Sequence, residues 1–247
     1  MIGEIMKEIK GVILAGGLGK RLEPLTRITN KHLLPVYSKP MIYYPLQLLV
    51  DAGIKDIMIV TGGNNAGDFL KLLGNGSEFG LKHIHYTYQR GEGGIADALK
   101  LAEDFAENKN IVVVLGDNLV EKPIKKYIDR FRRQAKGARL LLKKVKDPQR
   151  FGVAVFDNGK IKRIEEKPKK PKSDYAITGI YMYDNQIFKY IKKLKPSGRG
   201  ELEITDVNNI YLKQKQLEYD ILSGWWTDCG THESLIRATN LVASKKR

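Results

Sequence analysis

At 247 residues the chain can form one large domain or two small ones around a buried core. Hydrophobic residues at 42% and charged residues at 29% are ordinary for a soluble globular protein, and no apolar run approaches the roughly 20 residues that cross a bilayer. The formal net charge of +15 is spread over Lys143–Lys146, Lys160–Arg163, Lys167–Lys172, Lys189–Lys195 and Lys245–Arg247 with no base-stacking aromatic platform among them, which excludes nucleic acid as the expected partner but suits anionic small substrates.

Met1–Lys10 contains acids and no long apolar core, so no secretory signal is expected and the cytoplasm is the expected compartment. Gly11–Leu14 is a short apolar run ending in glycines, the pattern of a buried strand opening into a phosphate-type loop. Met41–Ala52 has helical spacing and stops at Gly53, Asp56–Thr61 reads as a second buried strand, and Gly67–Leu73 as a short helix stopped by Gly74. His83–Gln89 alternates like a strand, Ile95–Phe105 is helical with Ile95, Ala98, Leu99 and Ala102 on one face, and Ile111–Leu115 reads as a central strand.

Strands then crowd together at Ala138–Val145, Val153–Phe156, Lys160–Glu165 and Ala176–Tyr183, with Asp157-Asn158-Gly159 as a hairpin turn. Helices at Asn185–Leu194 and Ile204–Lys215, a strand at Leu217–Leu222 and a helix from Thr231 to Ser244 complete the chain. The expected fold is α/β: a three-layer α/β/α sandwich with a mixed, mainly parallel sheet. An added antiparallel layer is expected in the second half. No linker or repeat divides the halves, so one domain over residues 1–247 is expected, with substrates across the carboxyl ends of the strands.

The first chemically informative stretch is Leu14-Ala15-Gly16-Gly17-Leu18-Gly19-Lys20-Arg21-Leu22. Glycines after a buried strand let backbone N–H groups approach a phosphate, and Lys20, Arg21 and Lys31 add charge. The loop matches neither the dinucleotide fingerprint nor the Walker pattern. Cys229, the single cysteine, forms no intramolecular disulfide or zinc cluster, and His32, His83, His85 and His232 are not spaced as a metal set.

Gly16-Gly17-x-Gly19-x-Arg21, Lys31-His32-Leu33-Leu34-Pro35-Val36 and Lys39-Pro40-Met41-Ile42 together resemble the signature of the sugar nucleotidylyltransferases. The resemblance runs in register through Gln89 with Gly93-Gly94-Ile95-Ala96, Leu115-Gly116-Asp117-Asn118, Glu165-Glu166-Lys167-Pro168 and Tyr175–Tyr181. Arg199–Asp206 and Trp226–Thr231 resemble the branch that uses dTTP and glucose 1-phosphate to make dTDP-glucose. The resemblance implies a Rossmann-like fold, a nucleotide-binding half at about 1–120 and a sugar-phosphate-binding half at about 121–247. It also implies Mg2+ as cofactor, dTTP or UTP and glucose 1-phosphate as partners, and a homo-oligomer.

In that reaction a sugar 1-phosphate oxygen attacks the α-phosphorus of a nucleoside triphosphate and pyrophosphate leaves. The nucleophile is already an anion, so the site needs alignment and charge neutralisation rather than a Ser-His pair. Carried onto matching positions, the resemblance makes Arg21, Lys31 and Lys167 catalytic, and Leu14, Ala15, Gly16, Gly17, Gly19, Gln89, Gly94 and Asp117 nucleotide-binding. It makes Asn118, Gly152, Glu166, Lys167, Ile177, Tyr181 and Arg199 sugar-phosphate-binding, and Asp117 and Asp228 the metal ligands, with Gln89 reading the pyrimidine edge.

Plainer readings stand beside these. Arg21 and Lys31 could be surface charges, Asp117 or Asp228 could cap a helix, Glu166 and Lys167 could alternate outward on a strand, Gln89 could face solvent, and Tyr181 could be core packing. The chain departs from the family at Leu18 and Lys20, where hydroxyl residues are common, and at Arg90-Gly91-Glu92, where proline is frequent. It stops at Arg247, so a short form without the carboxy-terminal helical region and its allosteric nucleotide site is expected. Rival functions are uridylyl transfer, a non-catalytic nucleotide-sugar sensor and nucleic-acid binding. The joint presence of Arg21, Asp117, Lys167 and Asp228 speaks against the sensor.

Overall fold

Alternation of buried strands with amphipathic helices produces the first half of the molecule. The structure, a computed structural model, describes residues 8–63, 65–134 and 136–245. The reading of the amino-terminal segment therefore lies outside the described residues over 1–7, as does that of the last basic run over 246–247. In chain order come β1 (Ile9–Ala15), β2 (Pro35–Val36), β3 (Lys39–Pro40), α1 (Tyr43–Asp51), β4 (Asp56–Gly62), α2 (Ala66–Leu73), β5 (His83–Gln89), α3 (Ile95–Lys100), α4 (Glu103–Ala106) and β6 (Asn110–Leu115). The second half adds β7 (Asn118–Val120), α5 (Lys125–Arg133), β8 (Ala138–Lys144), β9 (Gly152–Asp157), β10 (Lys160–Glu166) and β11 (Tyr175–Tyr183). It ends with α6 (Gln186–Ile191), α7 (Ile204–Lys213), β12 (Leu217–Ile221), β13 (Trp226–Asp228) and α8 (His232–Ser244).

Nine strands make one mixed sheet along the path β10-β9-β11-β6-β1-β4-β5, with β8 pairing both β11 and β12. It is parallel from β6 through β1 and β4 to β5, and antiparallel where β11 meets β6, β8 and β9. The two-residue period of each strand sorts its side chains into two cores. Val12, Leu14, Val60 and Val113 pack on one face with residues of α3, α4, α6 and α7, whereas Ile13, Ala15, Ile59 and Val114 pack on the other with α1, α2 and α5. This gives three layers.

The antiparallel strands expected as an added layer instead lengthen the same sheet, because β11 pairs directly with β6 from Ile180↔Val114 to Tyr183↔Ile111. The helix expected over Ile95–Phe105 is split: Leu101 and Ala102 donate to carbonyls three residues back, on Ala98 and Leu99. The apolar face continues through the break with Phe105 and Ala106 buried. Helix α5 was legible in the spacing of Ile124, Tyr127, Ile128 and Phe131, all buried, yet is absent from the sequence reading. The hairpin turn forms as expected, with Asn158 at φ 47 and Gly159 at φ 74 between β9 and β10.

Candidate active site

The carboxyl ends of β1, β5 and β6 open into a cleft of about 490 Å³. The first half contributes Leu14, Gly16, Gly17, Arg21, Lys31, Gln89, Gly94, Asp117 and Asn118 to its wall, and the second half contributes Gly152, Glu166, Lys167, Ile177, Tyr181, Arg199 and Asp228. Two expected residues do not line it. Ala15 is fully buried in the core beneath the loop. Gly19 shapes the loop from behind, at φ 70, where a Cβ would stand 2.8 Å from Thr26 Cγ2 and 2.9 Å from Lys31 Cβ.

Asp117 sits between β6 and β7, where no helix begins, so it caps nothing. Lys31 Nζ donates to its Oδ2 at 2.6 Å and Asn118 Nδ2 to its Oδ1 at 2.9 Å. Burial alone would raise the Asp117 pKa; the Lys31 ammonium, the neighbouring His32 and these hydrogen bonds outweigh it and hold the carboxyl far below the usual range. His32 is buried behind this pair with Nδ1 2.8 Å from Asn30 Oδ1. Burial first, then the Lys31 charge, push its pKa down to about 3, so it stays neutral and structural.

Strand pairing brings the second carboxylate alongside. β13 pairs antiparallel with β7 so that Asp228 stands opposite Asn118, and Cys229 N–H donates to the Asp117 carbonyl at 2.9 Å. Asp228 does not cap α8, because Thr231 does, through a reciprocal box with Ser234. Asp228 Oδ2 accepts from Arg150 Nη2 at 2.7 Å and from Gly230 N–H at 3.2 Å, whereas its buried Oδ1 has no hydrogen-bond partner among the described residues. Arg21 reaches this corner from the glycine loop: a Cβ on Gly230 would lie 3.0 Å from both Arg21 Nη2 and Asp228 Oδ2. Two hard carboxylates, one with an oxygen that accepts no hydrogen bond among the described residues and lies 3.7 Å from Arg237 Nη2, fit a divalent cation that takes its remaining ligands from water and phosphate. No group of three or more His, Cys, Asp or Glu that could hold a metal occurs among the described residues.

Gln89 does not face solvent; it is 6% exposed, with Nε2 donating to Asp97 Oδ2 at 2.7 Å. Gly94, at φ 94, has no room for a side chain, since a Cβ would meet the Leu202 carbonyl at 2.7 Å. That contact joins the two halves: Leu202 N–H donates to Gly93 O at 2.8 Å and Ala96 N–H to Leu202 O at 3.2 Å.

Across the cleft, Glu166 accepts from Thr205 Oγ1 at 2.5 Å, and burial raises its pKa against the opposing Thr205 hydrogen bond and Lys167 charge. Arg199 Nη2 lies 2.9 Å from both Glu203 carboxylate oxygens, 3.2 Å from Glu201 and 3.5 Å from Glu166. Lys167 carries a left-handed backbone at φ 40, and its ammonium is half-exposed, 3.8 Å from Glu166. Tyr181 does double service, stacked on Tyr183 at 6.0 Å in the core while its edge meets the cleft.

Asn118 lines the cleft, but its amide is committed to the frame. Its Oδ1 accepts from Gly179 N–H at 2.9 Å and Trp226 Nε1 at 2.7 Å, and its Nδ2 holds Asp117. A register shift in β11 between Ile177 and Tyr181 turns that Gly179 N–H toward it. The sequence reading missed Arg150, Thr205 and Asn208. Arg150 was findable as a basic residue in the Asp147–Gly152 loop entering a predicted strand, whereas Asn208 Nδ2, buried without a hydrogen-bond partner among the described residues, had no local signal.

The sequence profile of the nucleotidyl transferase family matches residues 10–245. The chain is 48% identical over 238 residues to the glucose-1-phosphate thymidylyltransferase of Neisseria meningitidis serogroup A, covering 95% of this chain and 82% of that one. It is 41% identical over 243 residues to the glucose-1-phosphate thymidylyltransferase of Mycobacterium tuberculosis, covering 97% and 84%. Among solved structures it matches a Bacillus anthracis protein described as a glucose-1-phosphate thymidylyltransferase, in complex with a sucrose, at TM-score 0.90 and 57% identity over 94% of each chain. It matches UDP-glucose pyrophosphorylase complexed with UDP-glucose at TM-score 0.83 and 26% identity, covering 97% of this chain and 100% of that one. The chain belongs to the nucleotidyl transferase family and, within it, to the glucose-1-phosphate thymidylyltransferases. No helix among the described residues is long and apolar enough to cross a membrane.

Proposed function

We propose that this chain transfers a thymidylyl group from dTTP to glucose 1-phosphate, giving dTDP-glucose and pyrophosphate. The observation that carries the reading is the corner where Arg21, Lys31, Asp117 and Asp228 converge at the carboxyl ends of the parallel strands. Backbone at Leu14, Gly16 and Gly17 faces the triphosphate, and Arg21 and Lys31 neutralise it, with Arg21 following the charge onto pyrophosphate. Gln89 and Gly94 receive the base. Lys167 and Arg199 hold the sugar phosphate so that its oxygen lies in line with the α-phosphorus. Glu166, Gly152, Ile177 and Tyr181 shape the sugar site, with Asn208 in its wall.

Asp117 and Asp228 would hold Mg2+, which when bound supplies charge neutralisation at the reacting phosphates. Lys31 pairs with Asp117 and Arg150 with Asp228 in the same corner. The proposal takes residues 1–247 as one domain, with the nucleotide half at about 1–120 and the sugar-phosphate half at about 121–247. It includes a homo-oligomer, as the family resemblance implies, which sedimentation of the purified chain tests, and the cytoplasm as the compartment. The deciding assay is pyrophosphate release with each nucleoside triphosphate crossed with several sugar 1-phosphates in Mg2+. The highest kcat/KM is expected for dTTP with glucose 1-phosphate; no release from any pair overturns the enzyme reading, and UTP outperforming dTTP overturns the thymidylyl assignment.

A further inference from the structure

The Gln89 amide is clamped. Its Nε2 donates to Asp97 Oδ2 at 2.7 Å and, more weakly, to the Gly94 carbonyl at 3.3 Å. A carboxylate oxygen and a backbone carbonyl both accept and neither donates, so both neighbours demand the NH2 end of the amide. The other end, Oε1, is thereby turned to the glycine loop, 2.7 Å from where a Cβ on Gly16 would stand, and no described residue donates to it. The arrangement is close-fitting on the far side as well: a Cβ on Gly93 would lie 2.4 Å from Asp97 Oδ2. Asp97 stands in the first turn of α3, on a rigid element, and does not itself line the cleft.

We infer that Asp97 is a positioning residue that makes Gln89 an acceptor-only probe of the base, selecting pyrimidines with an N–H at N3 and excluding cytosine. The inference rests on the base-reading role proposed above for Gln89. Thymine and uracil present an N3–H donor to Oε1, whereas cytosine presents a lone pair at N3, so two acceptors face each other in a buried site. An unclamped glutamine could turn its amide over and donate to cytosine; with a carboxylate behind it, it cannot. Asp97 thus converts a side chain that recognises either ring into one that recognises a single class. The clamp discriminates by ring nitrogen and is indifferent to the 5-methyl group.

Equilibrium binding of dTTP, dUTP, dCTP and N3-methyl-dTTP to the wild-type chain, Asp97→Asn and Asp97→Ala tests this, because it does not depend on turnover. In the wild type, dTTP and dUTP should bind on the order of 10²-fold more tightly than dCTP and N3-methyl-dTTP. Asp97→Asn, whose amide can donate as well as accept, should narrow the dTTP-to-dCTP ratio at least tenfold while dTTP binding changes less. A wild type that binds N3-methyl-dTTP as well as dTTP overturns the inference without any variant. An unchanged dTTP-to-dCTP ratio in folded Asp97→Asn and Asp97→Ala overturns it too. If dTTP binds with this discrimination but no sugar phosphate is ever turned over, the proposed reaction fails and the clamp stands.

Discussion

On the nucleotide side of the cleft Arg21 makes no ion pair or hydrogen bond with any described residue, whereas on the sugar-phosphate side Arg199 is shared among Glu166, Glu201 and Glu203. An anion arriving at Arg21 displaces water alone. One arriving at Arg199 must compete with Glu203, whose side chain is 9% exposed and meets the guanidinium at 2.9 Å. The contrast teaches that equal formal charges on opposite walls have unequal effects: the first contributes its full attraction, the second only a difference between two carboxylate-like partners.

Asp117 serves both walls, and removing its charge should have the largest effect. Asp117→Asn is expected to lower kcat by about 10³-fold, with the native fold retained by circular dichroism; near-normal turnover would remove Asp117 from the reacting site. Arg21→Ala should lower kcat/KM for dTTP by about 10²-fold while leaving the denaturant midpoint unmoved, since no internal partner is lost. Arg199→Ala should raise KM for glucose 1-phosphate only about tenfold, and a loss as large as that of Arg21→Ala would break the comparison between the walls.

The smallest effect is in pH. Burial raises the Glu166 pKa from 4.5, while Asp117 is held below its ordinary 3.8 and stays ionised. As pH falls into the acid range, Glu166, its pKa raised by burial, should be the first of the two to take a proton and so accept more weakly from sugar hydroxyls. KM for glucose 1-phosphate should therefore rise about threefold more in the wild type than in Glu166→Gln over that range, and KM for dTTP should not follow it. Parallel pH profiles for the two proteins would exclude Glu166 as the titrating group.

Local signals carried far in the first half, where β1, β4 and β6 are largely apolar runs and β5 alternates, each bounded by glycine or polar turns. There the site residues lie at or just beyond strand ends, so locating the strands nearly locates Gly16, Gln89 and Asp117. In the second half the same signals located strands but not their neighbours. β9, β10 and β11 were readable, yet their place in the one sheet depends on β11 pairing with β6, a contact made across 66 to 72 residues of chain.

Residue periodicity and turn chemistry by themselves determined the alternating order, the central β6, the glycine loop and the Asn158-Gly159 turn, because each depends on neighbours within a few positions. Tertiary structure alone decided that Asp228 stands beside Asp117, that Asn118 serves the frame, that Glu203 holds Arg199, and that Asp97 orients Gln89. The physical reason is that most of these are hydrogen bonds and ion pairs between groups brought together only when the sheet closes. Even the close Asp97–Gln89 pair depends on how the Gly93-Gly94 turn folds back between them.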